Sequence, residues 1–299
     1  IVLTAGRGSS GGASLWQSGF LPSVYSGVLF RNSGEPVLNL QNPAGLPSPL
    51  QRKGLDVLAQ VNRQRLEQMH DPEIASRIAS YELAFRMQSA APELIDLSGE
   101  THATQDLYGL DRKEPDLKAH RGGGPGQFRS FATNCLLARR MVERGVRFVN
   151  IIHASWDHHS NLDAELPFNA EMADQPIAAL IKDLKQRGLL DETLIIWGGE
   201  FGRMPFSEGQ GAPGRNHNPY GFSMWMAGAG VKGGISYGET DEVGFEAVVD
   251  KVHVHDMHAT ILHLMGLDHE LLTYFHQGRD ESLTDADITG VQAVPDLIT

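Results

Sequence analysis

Apolar residues recur along the chain with different spacings, and the change of spacing divides the sequence. Residues 55–69 carry apolar side chains at helical spacing, and a second helix is predicted over residues 72–90, where Pro72 suits the first turn. Residues 1–50, which are rich in glycine, proline and serine, and residues 92–126 show little periodicity. We predict a long ordered excursion over residues 1–50 and a loop over residues 92–126.

In the second half of the chain, predicted strands alternate with predicted helices. The segments are, in chain order, a helix over residues 128–142, a strand over 146–152, a helix over 173–184, strands over 193–197 and 222–227, an extended segment over 245–254 and a helix over 256–265. This alternation favours an α/β fold with a mostly parallel sheet flanked by helices. We therefore predict one domain over residues 1–299, with an irregular and helical excursion in residues 1–125 and the α/β core in residues 126–299.

Composition excludes several classes of protein. The chain has 299 residues, of which 41% are hydrophobic and 21% charged, as is ordinary for a globular protein. Its net charge of −12 repels nucleic acid and anionic membrane surfaces. No apolar run reaches the roughly 18 residues that a membrane span needs. The single cysteine, Cys135, lies in the middle of a predicted helix and is predicted to be a buried core residue.

Polar clusters stand at the ends of three predicted strands, which is where open α/β sheets bind ligands. Asp157 and His159 follow the strand over residues 146–152 and are two positions apart, so one loop could present both side chains to a cation. Sets of aspartate and histidine suit zinc, manganese or iron, whereas oxygen-rich sets suit calcium or magnesium. The alternative is a solvated polar loop without a ligand.

The other two clusters add a carboxylate, a histidine and two arginines. Glu200 follows the strand over residues 193–197, and His217 precedes the strand over residues 222–227, so both are candidate metal ligands. Arg203 and Arg215 could hold an anionic ester through bidentate hydrogen bonds and are the candidate catalytic residues. The alternatives are an exposed turn glutamate, a surface histidine and structural arginines.

Three further histidines near the C-terminal helix are assigned a structural role. His253 and His255 would share one face of an extended segment, and His258 follows on the next helix. Asp256 is well placed as the N-cap of that helix, where its side chain would accept from the first free amides.

Six motifs carry a resemblance that covers essentially the whole chain. They are Gly19-Phe20-Leu21-Pro22-Ser23-Val24-Tyr25, Asn134-Cys135-Leu136-Leu137-Ala138-Arg139-Arg140, Trp156-Asp157-His158-His159-Ser160-Asn161, Gly199-Glu200-Phe201-Gly202-Arg203, Gly214-Arg215-Asn216-His217-Asn218-Pro219 and Asp256-Met257-His258-Ala259-Thr260-Ile261-Leu262. On these residues the chain resembles a large bacterial family of exported proteins that are often labelled as sulfatases and have an alkaline-phosphatase-like core. The resemblance implies an alkaline phosphatase/sulfatase-like domain that lacks its N-terminal part, with the nucleophile in the missing stretch. It also implies a periplasmic or extracellular location.

The resemblance further implies a two-metal site. Asp157, His159 and His217 would bind one divalent ion, and Glu200 would serve the second. The ion could be zinc, calcium, manganese or magnesium. The sequence departs from the superfamily at Glu200, which replaces an aspartate, and at Phe201, which stands where a histidine usually follows.

These observations lead to two hypotheses. In the first, the protein is a metal-dependent hydrolase of sulfate or phosphate esters, and its substrate is an anionic ester such as a sulfated polysaccharide. In the second, it is a non-catalytic exported binding or scaffold module that has kept the fold and lost the chemistry.

Overall fold

The computed structural model describes residues 1–5, 11–32, 34–38, 40–115, 126–208, 211 and 213–299. Contacts between Cα atoms divide the chain into two compact units. The first unit contains Ile1–Trp156 and Phe168–Leu180, and the second contains Asp157–Pro167 and Ile181–Thr299. The predicted division of the chain near residue 125 stays a prediction.

Helices account for most of the regular structure. They are α1 (Ser48–Met69), α2 (Pro72–Ile95), α3 (His102–Tyr108), α4 (Gln127–Glu143), α5 (Leu162–Gln186), α6 (Val254–Leu264) and α7 (Ala286–Thr289), with short 3-10 turns at Gly12–Trp16, Ser23–Tyr25, Leu190–Glu192 and Pro295–Leu297. Among the described residues, no helix combines the length and the apolar character needed to cross a membrane.

The strands are short and pair two by two. In chain order they are β1 (Val2–Ala5), β2 (Asn150–His153), β3 (Ile195–Trp197), β4 (Gly202–Arg203), β5 (His217–Asn218), β6 (Trp225–Ala227), β7 (Glu239–Thr240), β8 (Ala247–Val249), β9 (Thr273–His276) and β10 (Arg279–Ser282). β1 and β2 pair in parallel in the first unit. In the second unit, β3 pairs with β6, β4 with β5, β7 with β8 and β9 with β10, all antiparallel. A mostly parallel sheet flanked by helices, of the alkaline phosphatase/sulfatase type, therefore stays a prediction.

The core of the first unit forms where α2 and α4 pack near β1. Its buried members are Leu3, Phe30, Leu40, Ala91, Leu94, Leu137 and Met141. Leu137 and Met141 are four positions apart, so both lie on one face of α4. Cys135 is also buried, which confirms its assignment to the core, and burial raises the pKa of its thiol.

The helix predictions are largely confirmed, with four corrections. α1 begins before residue 55, and α5 begins at Leu162 rather than near residue 173. The loop predicted over residues 92–126 is wrong at α3, a short helix whose N-cap Thr101 accepts from the amide of Thr104. Residues 116–125 of that predicted loop lie outside the described residues. The N-cap of α6 is His253 and not Asp256, whose carboxylate instead accepts from the His253 amide.

The strand predictions place the right segments but make them too long. The strand predicted from residue 146 begins at Asn150, and the Val146 amide instead donates to the carbonyl of Met141 at the end of α4. The segment predicted to be extended over residues 245–254 contains only β8, and α6 begins at Val254.

One glycine in α1 gives a prediction about stability. Gly54 lies in the interior of α1, is exposed, and has open space where a Cβ would stand. Because glycine loses more backbone entropy than alanine in a helix, Gly54→Ala should stabilise the protein by about 0.5–1 kcal/mol. Thermal unfolding followed by circular dichroism would measure the change. An unchanged or lower Tm would contradict the prediction.

Candidate metal centre

The loop of residues 157–159 presents two of its three polar side chains to one point in the second unit. The amide of His159 donates to the carbonyl of Asp157 at 3.2 Å, which closes a tight turn. Asp157 Oδ1 lies 3.0 Å from His159 Nε2. His158 is buried, and its Nε2 lies 3.9 Å from the carboxylate of Glu165. The turn therefore separates His158 from its two neighbours, which agrees with the predicted pairing of Asp157 with His159.

A third side chain reaches Asp157 and His159 from the antiparallel pair of strands β4 and β5. His217 of β5 stands directly opposite Arg203 of β4 in an antiparallel register. Residues opposite each other in such a pair project from the same face. His217 Nε2 consequently lies 3.0 Å from Asp157 Oδ1, and Arg203 Nη1 lies 2.5 Å from the same oxygen.

Asp157, His159 and His217 form a compact triangle of ligand atoms. The two imidazole Nε2 atoms are 3.1 Å apart, and each lies 3.0 Å from Asp157 Oδ1. An ion that binds tetrahedrally at about 2.0–2.1 Å holds its ligands about 3.3 Å apart, so the spacing suits a small cation after slight expansion. The set of two nitrogens and one carboxylate oxygen fits zinc, manganese or iron better than calcium or magnesium.

The carboxylate of this set is held in its charged form. Partial burial alone would raise the pKa of Asp157, but hydrogen bonds from Arg203 and His217 outweigh that effect and lower the pKa to about 2. Asp157 is therefore ionised at neutral pH. It can bind a cation without first losing a proton.

An aromatic ring packs against the triangle. The Phe201 ring lies 4.3 Å from the His217 ring, centroid to centroid, and the Arg203 guanidinium lies 5.5 Å from the centroid of Phe201. Phe201 therefore packs on the imidazole of one candidate ligand and on the arginine beside it.

The remaining predicted ligand, Glu200, and the predicted catalytic residue Arg215 are not among the three ligands of the triangle. Glu200 does not join the three-ligand group; its Oε1 lies 3.9 Å from Arg203 Nη2, and its side chain is 68% exposed. Arg215 donates to the carbonyl of Gly214 at 2.9 Å and to Ser207 Oγ at 3.3 Å. A second metal at Glu200 and a catalytic role for Arg215 stay predictions.

The histidines that were assigned a structural role lie outside this group. His253 caps α6, and its ring lies 4.9 Å from that of His255, edge to face. Burial and the neighbouring His255 lower the pKa of His258. Within the described part of the chain, these three histidines do not form a three-ligand group.

Sequence reasoning missed one carboxylate beside the triangle. Glu208 Oε2 lies 2.8 Å from His159 Nδ1, on the other edge of that imidazole ring. The sequence around Glu208 is a glycine-containing polar stretch without a strand pattern, so nothing in it indicated a functional acid.

Comparison with protein-family models gives one finding. A model described as a protein of unknown function (DUF1501) matches residues 1–297. The chain belongs to the DUF1501 family. Comparison with curated proteins and with solved structures gives no match. The resemblance to a sulfatase-labelled family with an alkaline-phosphatase-like core was therefore wrong as an identification, because the matching family model is DUF1501 and no sulfatase or alkaline-phosphatase model matches.

Proposed function

We propose that this DUF1501 chain carries the metal centre of a hydrolase that cleaves sulfate or phosphate esters. The observation that supports the proposal is the triangle of Asp157, His159 and His217, in which three good metal ligands converge within 3.0–3.1 Å of one another. The donor set favours zinc or manganese as the ion.

The triangle offers three protein ligands for an ion. Catalytic metal sites commonly have three protein ligands and an open position, whereas structural zinc sites have four. An ion held by Asp157, His159 and His217 would supply Lewis-acid activation of an ester oxygen or of a water molecule. The protein supplies the geometry, since Asp157 is already ionised and the two imidazoles face the same point.

Arg203 suits the anionic part of the substrate. Its guanidinium stands beside Asp157 Oδ1, at the edge of the triangle, and is about one quarter exposed. A planar guanidinium can hold two non-bridging oxygens of a sulfate or phosphate group and stabilise the charge that develops on them. We therefore assign to Arg203 the role of binding the ester group, with Arg215 as a second candidate for that role. A sulfated polysaccharide as substrate and a periplasmic or extracellular location are part of the same proposal.

The position of Glu200 favours a second candidate function. Because Glu200 does not join the three ligands, the centre as described has ligands for one ion rather than two. A protein with one metal and a neighbouring arginine could bind a sulfated or phosphorylated polymer without cleaving it. This binding module would hold the ligand and show no metal-dependent turnover.

Removing single ligands should abolish metal binding. We expect the wild-type protein to bind about one zinc or manganese ion per chain, and Asp157→Asn and His217→Ala to bind none, since two remaining ligands hold an ion weakly. Inductively coupled plasma mass spectrometry after dialysis measures the metal content. The same variants should also lose turnover of aryl sulfate and aryl phosphate esters in proportion to their loss of metal.

His263→Ala is the matched control, because His263 is an exposed histidine of the same unit outside the triangle. It should keep the metal content of the wild-type protein. Wild-type protein that binds no ion would refute both candidate functions. A bound ion without ester turnover would favour the binding module.

A further inference from the structure

The imidazole of His159 has a different partner at each ring nitrogen. Nε2 faces Asp157 and His217 in the triangle, and Nδ1 faces the carboxylate of Glu208 at 2.8 Å. The ring thus stands between Glu208 and the metal ligands. Glu208 reaches His159 from the far edge and is not part of the three-ligand group.

This contact fixes which nitrogen of His159 carries the proton. A carboxylate oxygen accepts hydrogen bonds, so Nδ1 is the donor in this contact. In a neutral imidazole, the other nitrogen then presents its lone pair. His159 Nε2 is therefore prepared to bind a cation at the triangle, and the carboxylate makes it a stronger ligand.

The backbone holds Glu208 close to the His159 turn. The amide of Glu208 donates to the carbonyl of Gly214 at 3.0 Å, and the amide of Gly214 donates back at 3.3 Å. The next residue, Arg215, donates from its amide to the carbonyl of His158 at 2.8 Å. Three backbone hydrogen bonds thus connect the residue that carries the carboxylate to the turn that carries the imidazole.

We infer that Glu208 is a positioning residue for the metal centre, which orients His159 and fixes its tautomer through the Nδ1 contact. The inference rests on the proposed function, because it assigns an outer partner to one ligand of that metal. It extends the proposal by a residue that neither the sequence motifs nor the three-ligand group contains. Glu208 contacts the His159 ring and is not one of the three ligands.

Titration of the purified protein with zinc(II), and separately with cobalt(II), tests the inference. Loss of an outer carboxylate typically weakens metal binding about 10–100-fold, and we expect a loss in that range for Glu208→Ala. The amide oxygen of Glu208→Gln can still accept from Nδ1, so this variant should bind more tightly than Glu208→Ala. The visible spectrum of bound cobalt should change in Glu208→Ala and stay close to that of the wild-type protein in Glu208→Gln. Glu242→Ala, which removes an exposed carboxylate of the same unit, is the control and should titrate like the wild-type protein.

The outcomes separate the inference from the proposed function. Equal zinc affinity and equal cobalt spectra in wild-type protein and Glu208→Ala would overturn the positioning role and leave the metal centre standing. Equal losses in Glu208→Gln and Glu208→Ala, together with a lower Tm in both, would assign Glu208 to folding and also overturn the inference. Wild-type protein that binds neither ion would refute the metal centre and with it the role of Glu208.

Discussion

Replacing Glu100 by alanine is expected to destabilise the first unit by about 3 kcal/mol, because it removes the carboxylate that two buried guanidinium groups share, while Arg139 keeps its pair with Glu143 at 2.6 Å. Glu100 lies 2.6 Å from Arg139 Nη2 and 2.6 Å from Arg140 Nη1. The side chains of Arg139 and Arg140 are 3% and 9% exposed, and that of Glu100 is 9% exposed. Chemical denaturation followed by circular dichroism would measure the loss.

The loss should depend on pH. Burial alone would raise the pKa of Glu100, but hydrogen bonds from Arg139 and Arg140 outweigh it and lower the pKa below its ordinary value. A carboxyl whose pKa is lowered by folding stabilises the protein above its unfolded pKa of about 4.3 and loses that effect as the pH falls through the folded value. The difference between wild-type protein and Glu100→Ala should therefore be largest near neutral pH and shrink in acid.

Glu82→Ala is the matched control for Glu100→Ala. Glu82 also pairs with an arginine at 2.6 Å, but Arg52 and Glu82 are 29% and 38% exposed. Solvent-exposed pairs contribute about 0–1 kcal/mol, so this variant should unfold close to the wild-type protein. If Glu82→Ala and Glu100→Ala lowered the free energy of unfolding by similar amounts, the burial of the Glu100 ion pairs would not explain the destabilisation.

Long elements with a repeating apolar pattern were predicted from the sequence, whereas short elements without such a pattern were missed. The apolar residues of α4 recur over several turns, so its existence was predictable. α3 is seven residues long and has no apolar repeat, and its signal is limited to the N-cap Thr101. The four-residue strands β9 and β10 were not predicted, since their pairing depends on contacts rather than on a run of apolar residues.

The candidate site shows the same difference between local and distant information. Asp157 and His159 are two positions apart, so their partnership was visible in the sequence, and His217 was found because it stands beside a predicted strand. The contact of Glu208 with His159 joins residues 49 positions apart through a side chain. No periodicity or spacing marks such a contact, and only the fold reveals it.

Gly214→Ala is expected to disrupt the metal centre and to destabilise the second unit by about 3 kcal/mol or more, at the upper end of the cost of overpacking. A Cβ on Gly214 would overlap the carbonyl carbon and oxygen of His159 and the carbonyl oxygen of His158. These are backbone atoms, so no side-chain rotation can relieve the overlap. The turn that carries His159 must move away from Gly214, and the hydrogen bond from the Arg215 amide to His158 must lengthen or break.

Two measurements would follow this displacement. Denaturation curves report the loss of stability, and zinc titration reports the loss of His159 as a ligand, which should weaken binding at least as much as Glu208→Ala does. Gly233→Ala is the control, because a Cβ there meets open space and the backbone is not left-handed. A Gly214→Ala protein that binds zinc with wild-type affinity would show that His159 is not needed as a ligand, since its backbone cannot keep its position once the Cβ is present.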